Sequence, residues 1–136
     1  MNMSVIIKRK TGGSGAGSKM SIKVNGEKIT KIAHQEEIVL DIQNEPALVK
    51  VEQLGIKSNE INVENGDVVE IKTTKTTYIT IFVLFVYIIV SSFEQMAAYI
   101  TPVRTIFFIL LISTLFITNG FELRIIDTKS KNERIK

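Results

Sequence analysis

Cysteine is absent from this chain of 136 residues. That removes any disulfide framework or thiolate metal site, and composition alone leaves the redox compartment undetermined. Aromatic residues are missing from the first 75 positions, because all seven Phe and all three Tyr lie at or beyond Tyr78. Proteins that grip single-stranded nucleic acid stack bases on aromatic side chains, so the aromatic-free half predicts no nucleic-acid partner. Histidine is nearly absent too. His34 stands alone beside Gln35, Glu36 and Glu37, and one imidazole among surface carboxylates does not make a metal site. No Ser-His-Asp or Cys-His constellation can be assembled. The carboxylates Glu60, Glu64, Asp67 and Glu70 fall on strand and turn patterns and read as solvated faces. The expectation is a chain without enzymatic activity, metal or cofactor.

Phosphate-binding loops are also missing. Gly12 and Gly17 have the separation of G-x-x-x-x-G-K-[ST], but Ser18 stands where the lysine belongs and Lys19 comes one place late. The pattern G-x-G-x-x-G fails at Ser18 as well. Both motifs open a helix, whereas the residues that follow here alternate like a strand, so residues 11–18 read as a flexible inter-strand loop. Residues 1–7 carry too short an apolar run for a signal peptide, and Lys8-Arg9-Lys10 follows the run where the charge should precede it.

What the chain does have is concentrated in residues 76–121. Two apolar runs, 76–93 and 105–121, contain no ionisable group other than Tyr78 and Tyr87. At a helical rise of about 1.5 Å per residue, each comes close to the ~30 Å of a bilayer's hydrocarbon core. Their β-branched residues would favour strand in water, but each run is two to three times a strand's usual length and lacks alternation. In lipid a helix satisfies its own backbone. The pattern predicts a transmembrane helical hairpin with a short loop at residues 94–104, in which Thr101-Pro102 starts the second helix. Glu94 and Arg104 then fall at the interface, with Tyr78 and Tyr99 near opposite ends of the hairpin. Neither span has the mid-membrane charge of an ion pathway or a G-x-x-x-G packing motif.

Basic residues set the expected topology. Lys57, Lys72 and Lys75 precede the hairpin, Arg124, Lys129, Lys131, Arg134 and Lys136 follow it, and the connecting loop has only Arg104. The positive-inside rule places both termini in the cytoplasm. Lys72, Lys75, Tyr78, Tyr99, Arg104 and Arg124 are the expected membrane-interface residues. Lys8, Arg9, Lys10 and Lys19 are candidates for contact with anionic lipid.

Residues 1–75 read as about seven short strands. Val5 and Ile7 alternate within 3–9, Ile38, Leu40 and Ile42 share a face, and so do Ala47, Val49 and Val51. Asn25-Gly26 and Asn65-Gly66 each predict a hairpin, since both turn positions need positive φ. The expected fold is a small all-β domain, an antiparallel sandwich with an aliphatic core, followed by a two-helix transmembrane hairpin. Its divisions are 1–75 as β-domain, 76–121 as hairpin and 122–136 as a basic cytoplasmic tail.

The runs Ile22-Lys23-Val24-Asn25-Gly26-Glu27-Lys28-Ile29, Ser58-Asn59-Glu60-Ile61-Asn62-Val63 and Gly66-Asp67-Val68-Val69-Glu70-Ile71 resemble PEGA-like β-sandwich modules of small bacterial membrane proteins. The resemblance covers residues 3–72 and implies a non-enzymatic module with no catalytic residues to carry over. The combined expectation is a bacterial cytoplasmic-membrane protein in contact with lipid. It would present a cytoplasmic β-domain to a protein partner or to further copies of itself, as an accessory or regulatory subunit. An immunity or pore-type protein acting through its hairpin is the alternative.

Overall fold

The computed structural model describes residues 2–13, 15–43, 45–93 and 101–128. Its strands are β1 (Met3–Arg9), β2 (Met20–Val24), β3 (Glu27–Ile32), β4 (Glu37–Ile42), β5 (Ala47–Gln53), β6 (Ile56–Lys57), β7 (Ile61–Val63) and β8 (Asp67–Thr73). Helices α1 (Lys75–Phe93) and α2 (Thr101–Ile117) follow, and then a last strand, β9 (Phe121–Thr128). One sheet has the order β4-β1-β8-β9. The other runs β3-β2-β5-β6, with β7 also paired to β5.

Period-two alternation builds the core as the residues predict. Met3, Val5 and Ile7 of β1, Met20, Ile22 and Val24 of β2, and Ala47, Val49 and Val51 of β5 are buried, and one apolar cluster draws on both sheets. The pairing is not wholly antiparallel, because β1 runs parallel to β8 between the antiparallel neighbours β4 and β9.

The two Asn-Gly pairs part company. Asn25 (φ 51°) and Gly26 (φ 85°) make the hairpin turn between β2 and β3. Asn65-Gly66 instead carries the chain from one sheet to the other, because β7 pairs with β5 and not with β8. The Asn65 side chain accepts a hydrogen bond from the Ser4 amide at 2.9 Å, and only Gly66 takes positive φ there.

The largest departure from expectation lies at the far end. Residues 122–128 do not form a tail: β9 pairs antiparallel with β8 from Thr73↔Phe121 to Asp67↔Thr128. Phe121 and Leu123 alternate with Glu122 and Arg124, so the apolar pair turns inward and is buried, and the core is not purely aliphatic. Residues 129–136 lie outside the described residues. The α-helical hairpin is therefore inserted between two neighbouring strands of one sheet and does not follow the β-domain.

Asn59 joins β9 to the second sheet. Its side-chain amide donates to Leu123 O at 3.3 Å and accepts from Leu123 N at 2.8 Å, imitating a strand neighbour.

Candidate functional site

Among the described residues, most of the exposed large apolar side chains belong to the two helices. Seventeen large side chains of α1 and α2 that are apolar or aromatic stand exposed, from Tyr78 to Ile117. Among the described residues, Thr77 is the only one in either helix that is buried. Soluble monomers rarely leave contiguous apolar patches beyond a few hundred Å² uncovered. The stretch Lys75–Ser92 is long and apolar enough to cross a membrane, and Thr101–Ile117 is a shorter apolar helix. The helices meet through Tyr87, whose ring lies 5.6 Å from that of Phe107 and 5.9 Å from that of Phe108. Its hydroxyl donates to the Arg104 carbonyl at 2.9 Å. Arg104 thus sits in the first turn of α2 and not in a connecting loop, while Glu94 and Tyr99 lie outside the described residues. The second apolar run also ends sooner than its composition suggests: α2 stops at Ile117, and Phe121 belongs to the β-core.

Hydroxyls clasp the root of this hairpin. Thr74 precedes α1 as its cap, with the Thr77 amide 3.4 Å from Thr74 Oγ1. Thr74 N donates to Gly120 O at 3.0 Å, Thr77 Oγ1 donates to the same carbonyl at 3.0 Å, and Gly120 N donates to Lys57 O at 2.9 Å. A Cβ on Gly120 would overlap Ile56 Cγ2, so only glycine fits. The start of α1 and the chain leaving α2 are thereby fixed side by side on the β-domain. Tyr78, expected as an interface residue, adds to the clasp by donating to Thr11 O at 3.2 Å.

Arg9, a candidate for contact with anionic lipid, instead lies 1% exposed in the core. It is in phase with Met3, Val5 and Ile7, so alternation turns it inward. All five of its N–H donors find neutral acceptors. Nε donates to Thr11 Oγ1 (3.1 Å), Nη1 to Ser18 O (2.9 Å) and Ile32 O (3.1 Å), and Nη2 to Gly15 O (2.9 Å) and Gln53 Oε1 (3.5 Å). Burial pulls its pKa down from the ordinary arginine value, yet a guanidinium stays protonated in proteins. Gln53 Nε2 donates to Gly15 O and Ser18 O as well, at 2.8 and 3.0 Å. The glycine-rich segment, read as flexible from its composition, is tied down from beneath at both of these carbonyls.

Strand register places charges of both signs at each end of the β-domain, with lysines in excess near the hairpin. The rows nearest the hairpin carry Lys10, Lys72, Lys31 and Lys57 against Glu122, Glu52 and Glu36. Lys19 and Lys75 are exposed at the same end. At the opposite end stand Asp41, Asp67, Asp127 and Glu27, with Lys23 and Lys28 in the row next to Glu27. Lys8 pairs with Glu37 at 3.1 Å, and Arg124 with Glu122 at 2.7 Å. Glu70, nearly buried, holds Lys72 at 2.8 Å and Lys10 at 3.2 Å.

The hydrogen bond from Lys72, joined by that from Lys10, keeps the Glu70 carboxyl below its usual range against the opposing effect of burial. A carboxylate whose pKa falls on folding adds stability that is complete above its unfolded value and fades as pH drops through the folded one. Urea unfolding of the full chain in detergent should therefore weaken on acidification below the ordinary glutamate range. Glu70→Gln should flatten that part of the profile.

Sequence reading missed Arg9 as a core residue, the threonine clasp and the partnership of β9. The first and last had a signal in the alternation of residues 3–9 and 121–125. The clasp depends on contacts between positions more than 40 residues apart. Among the described residues no group of three or more His, Asp or Glu gathers to hold a metal. No family model, no characterised protein and no solved structure matches this chain.

Proposed function

We propose that the chain is a non-enzymatic integral protein of a bacterial cytoplasmic membrane. The α1–α2 hairpin crosses the bilayer twice and holds the β-domain against the cytoplasmic face for protein–protein interaction, as an accessory or regulatory subunit. The observation that carries this reading is the exposed apolar hairpin springing from adjacent antiparallel strands, with lysines gathered at its root. Thr73 and Phe121 are neighbours in one sheet, so both ends of the hairpin leave from the same side. Basic residues at that end suit anionic headgroups, at about 1 kcal/mol per Lys or Arg near the surface. At 19 and 17 residues the helices extend about 28 and 25 Å, and a modest shortfall against the bilayer is met by local thinning.

The resemblance to PEGA-like modules belongs with this reading, since it implies a non-enzymatic module. The edge strands β3 and β4 offer unpaired backbone to which a partner's strand can add.

Fractionation is the experiment. The full-length chain should sediment with membranes, resist extraction by high salt and alkaline carbonate, and enter solution only with detergent. Recovery in the supernatant without detergent would overturn the proposal.

A further inference from the structure

We infer that the β5–β6 turn is a third point of membrane insertion, with Leu54 as a wedge seated at the boundary between headgroups and acyl chains. This inference rests on the membrane reading above and adds a contact made by the β-domain itself. Leu54 and Gly55 form a two-residue turn between Gln53 and Ile56, with φ of 51° and 81°. Both positions require the left-handed region, which asparagine and glycine enter readily and leucine does not, at a cost of about 1 kcal/mol or more for an ordinary L-residue. The turn thus holds a leucine in the conformation least suited to it. That leucine is 79% exposed, more than any other large apolar residue described. A strained backbone that projects an apolar side chain away from the core calls for something outside the domain to receive it.

Its position names the receiver. Gly55 packs so close to Phe116 that an added Cβ would lie 3.0 Å from the ring. Leu54 lines one small, mostly apolar cleft of about 160 Å³ together with Gln53, Thr77 and Phe121 beside the clasp and Ile81 and Leu115 of the helices. Ile81 stands six positions into α1 beyond Lys75, about 9 Å along the helix axis at 1.5 Å per residue. The turn therefore reaches past the clasp, level with side chains that the membrane reading places in lipid. Lys57 and Lys19 lie at the same end of the domain, placed for phosphates above the wedge. The occupant is the acyl-chain margin of a phospholipid monolayer.

The chain contains no tryptophan and no cysteine, so a single introduced probe reports one site. Full-length Leu54→Trp, Ile109→Trp and Leu48→Trp are reconstituted separately into vesicles of mixed zwitterionic and anionic phospholipid, brominated at acyl positions near the headgroups or deep in the chains. Leu54→Trp should lose most of its emission to shallow bromine and be shielded from a water-soluble quencher. Leu48→Trp, on the part of β5 remote from the hairpin, should show the reverse. Ile109→Trp, midway along α2, should respond to deep bromine. Should Leu54→Trp misfold, Leu54→Cys carrying an environment-sensitive fluorophore gives the same comparison. A water-exposed probe at position 54 with a lipid-quenched one at 109 overturns the wedge and leaves the membrane reading intact. Water-exposed probes at both positions overturn both.

Discussion

A chain in which residues 75–119 are replaced by Asn-Gly is expected to stay in the supernatant as a folded β-domain. The basis is the ladder itself. Thr73 pairs with Phe121, and Thr74 N donates to Gly120 O at 3.0 Å, so the two ends to be joined already face each other, and Asn-Gly supplies the residues that a two-residue turn between them favours. The companion variant, truncated after residue 75, is expected not to fold. It keeps eight strands but loses Phe121 and Leu123, each buried in the core and each worth about 1.5–3 kcal/mol of burial. It also leaves the β8 edge unpaired beside buried Val69 and Ile71. Against a total stability of about 5–15 kcal/mol for an ordinary domain, those losses decide the outcome. Far-ultraviolet circular dichroism with a cooperative urea transition distinguishes the two. The turn-closed variant is therefore the proper bait for a partner of the β-domain, and capture by the hairpin alone would favour the immunity or pore-type alternative.

Arg9→Met should be the most damaging single substitution in the β-domain. Methionine keeps the bulk of the side chain but removes every donor, leaving the carbonyls of Gly15, Ser18 and Ile32 short of their partners. Each buried polar group left unsatisfied costs about 1–3 kcal/mol. Gln53 can still serve Gly15 and Ser18, so a loss of about 3 kcal/mol is expected, read as a lowered urea midpoint in the turn-closed variant. Arg9→Lys should recover only part of it. An ammonium carries three donors from one point, where the guanidinium fork reaches five acceptors. Lys8→Met, next in sequence but on the opposite face and paired only with exposed Glu37, should cost under about 1 kcal/mol.

These expectations mark where the residues speak for themselves. Local rules placed most of the strands: alternation found the inward faces of β1, β4 and β5, Asn25-Gly26 turned β2 into β3, and the uncharged runs gave two helices. The same rule, carried two residues beyond Ile7 along β1, would have turned Arg9 inward; its charge argued the other way. Strand β9 was hidden because a charged segment beyond an apolar hairpin reads as a tail, and its partner β8 lies some 50 positions upstream. Asn65-Gly66 shows the limit of a dipeptide. Whether such a turn closes a hairpin or crosses between sheets depends on which strand the flanking residues pair with, and that is settled by the whole domain. The clasp around Gly120 is legible only once both helix ends are brought together.

The membrane reading turns on where the two ends of the molecule lie. In this cysteine-free chain, Thr101→Cys at the start of α2 and Asp41→Cys at the end of the β-domain away from the hairpin each provide one thiol. Intact spheroplasts are treated with a membrane-impermeant maleimide, then lysed and treated again. The account predicts that position 101 reacts before lysis and position 41 only after it. Labelling of position 41 in intact cells, or protection of position 101 until lysis, would contradict it.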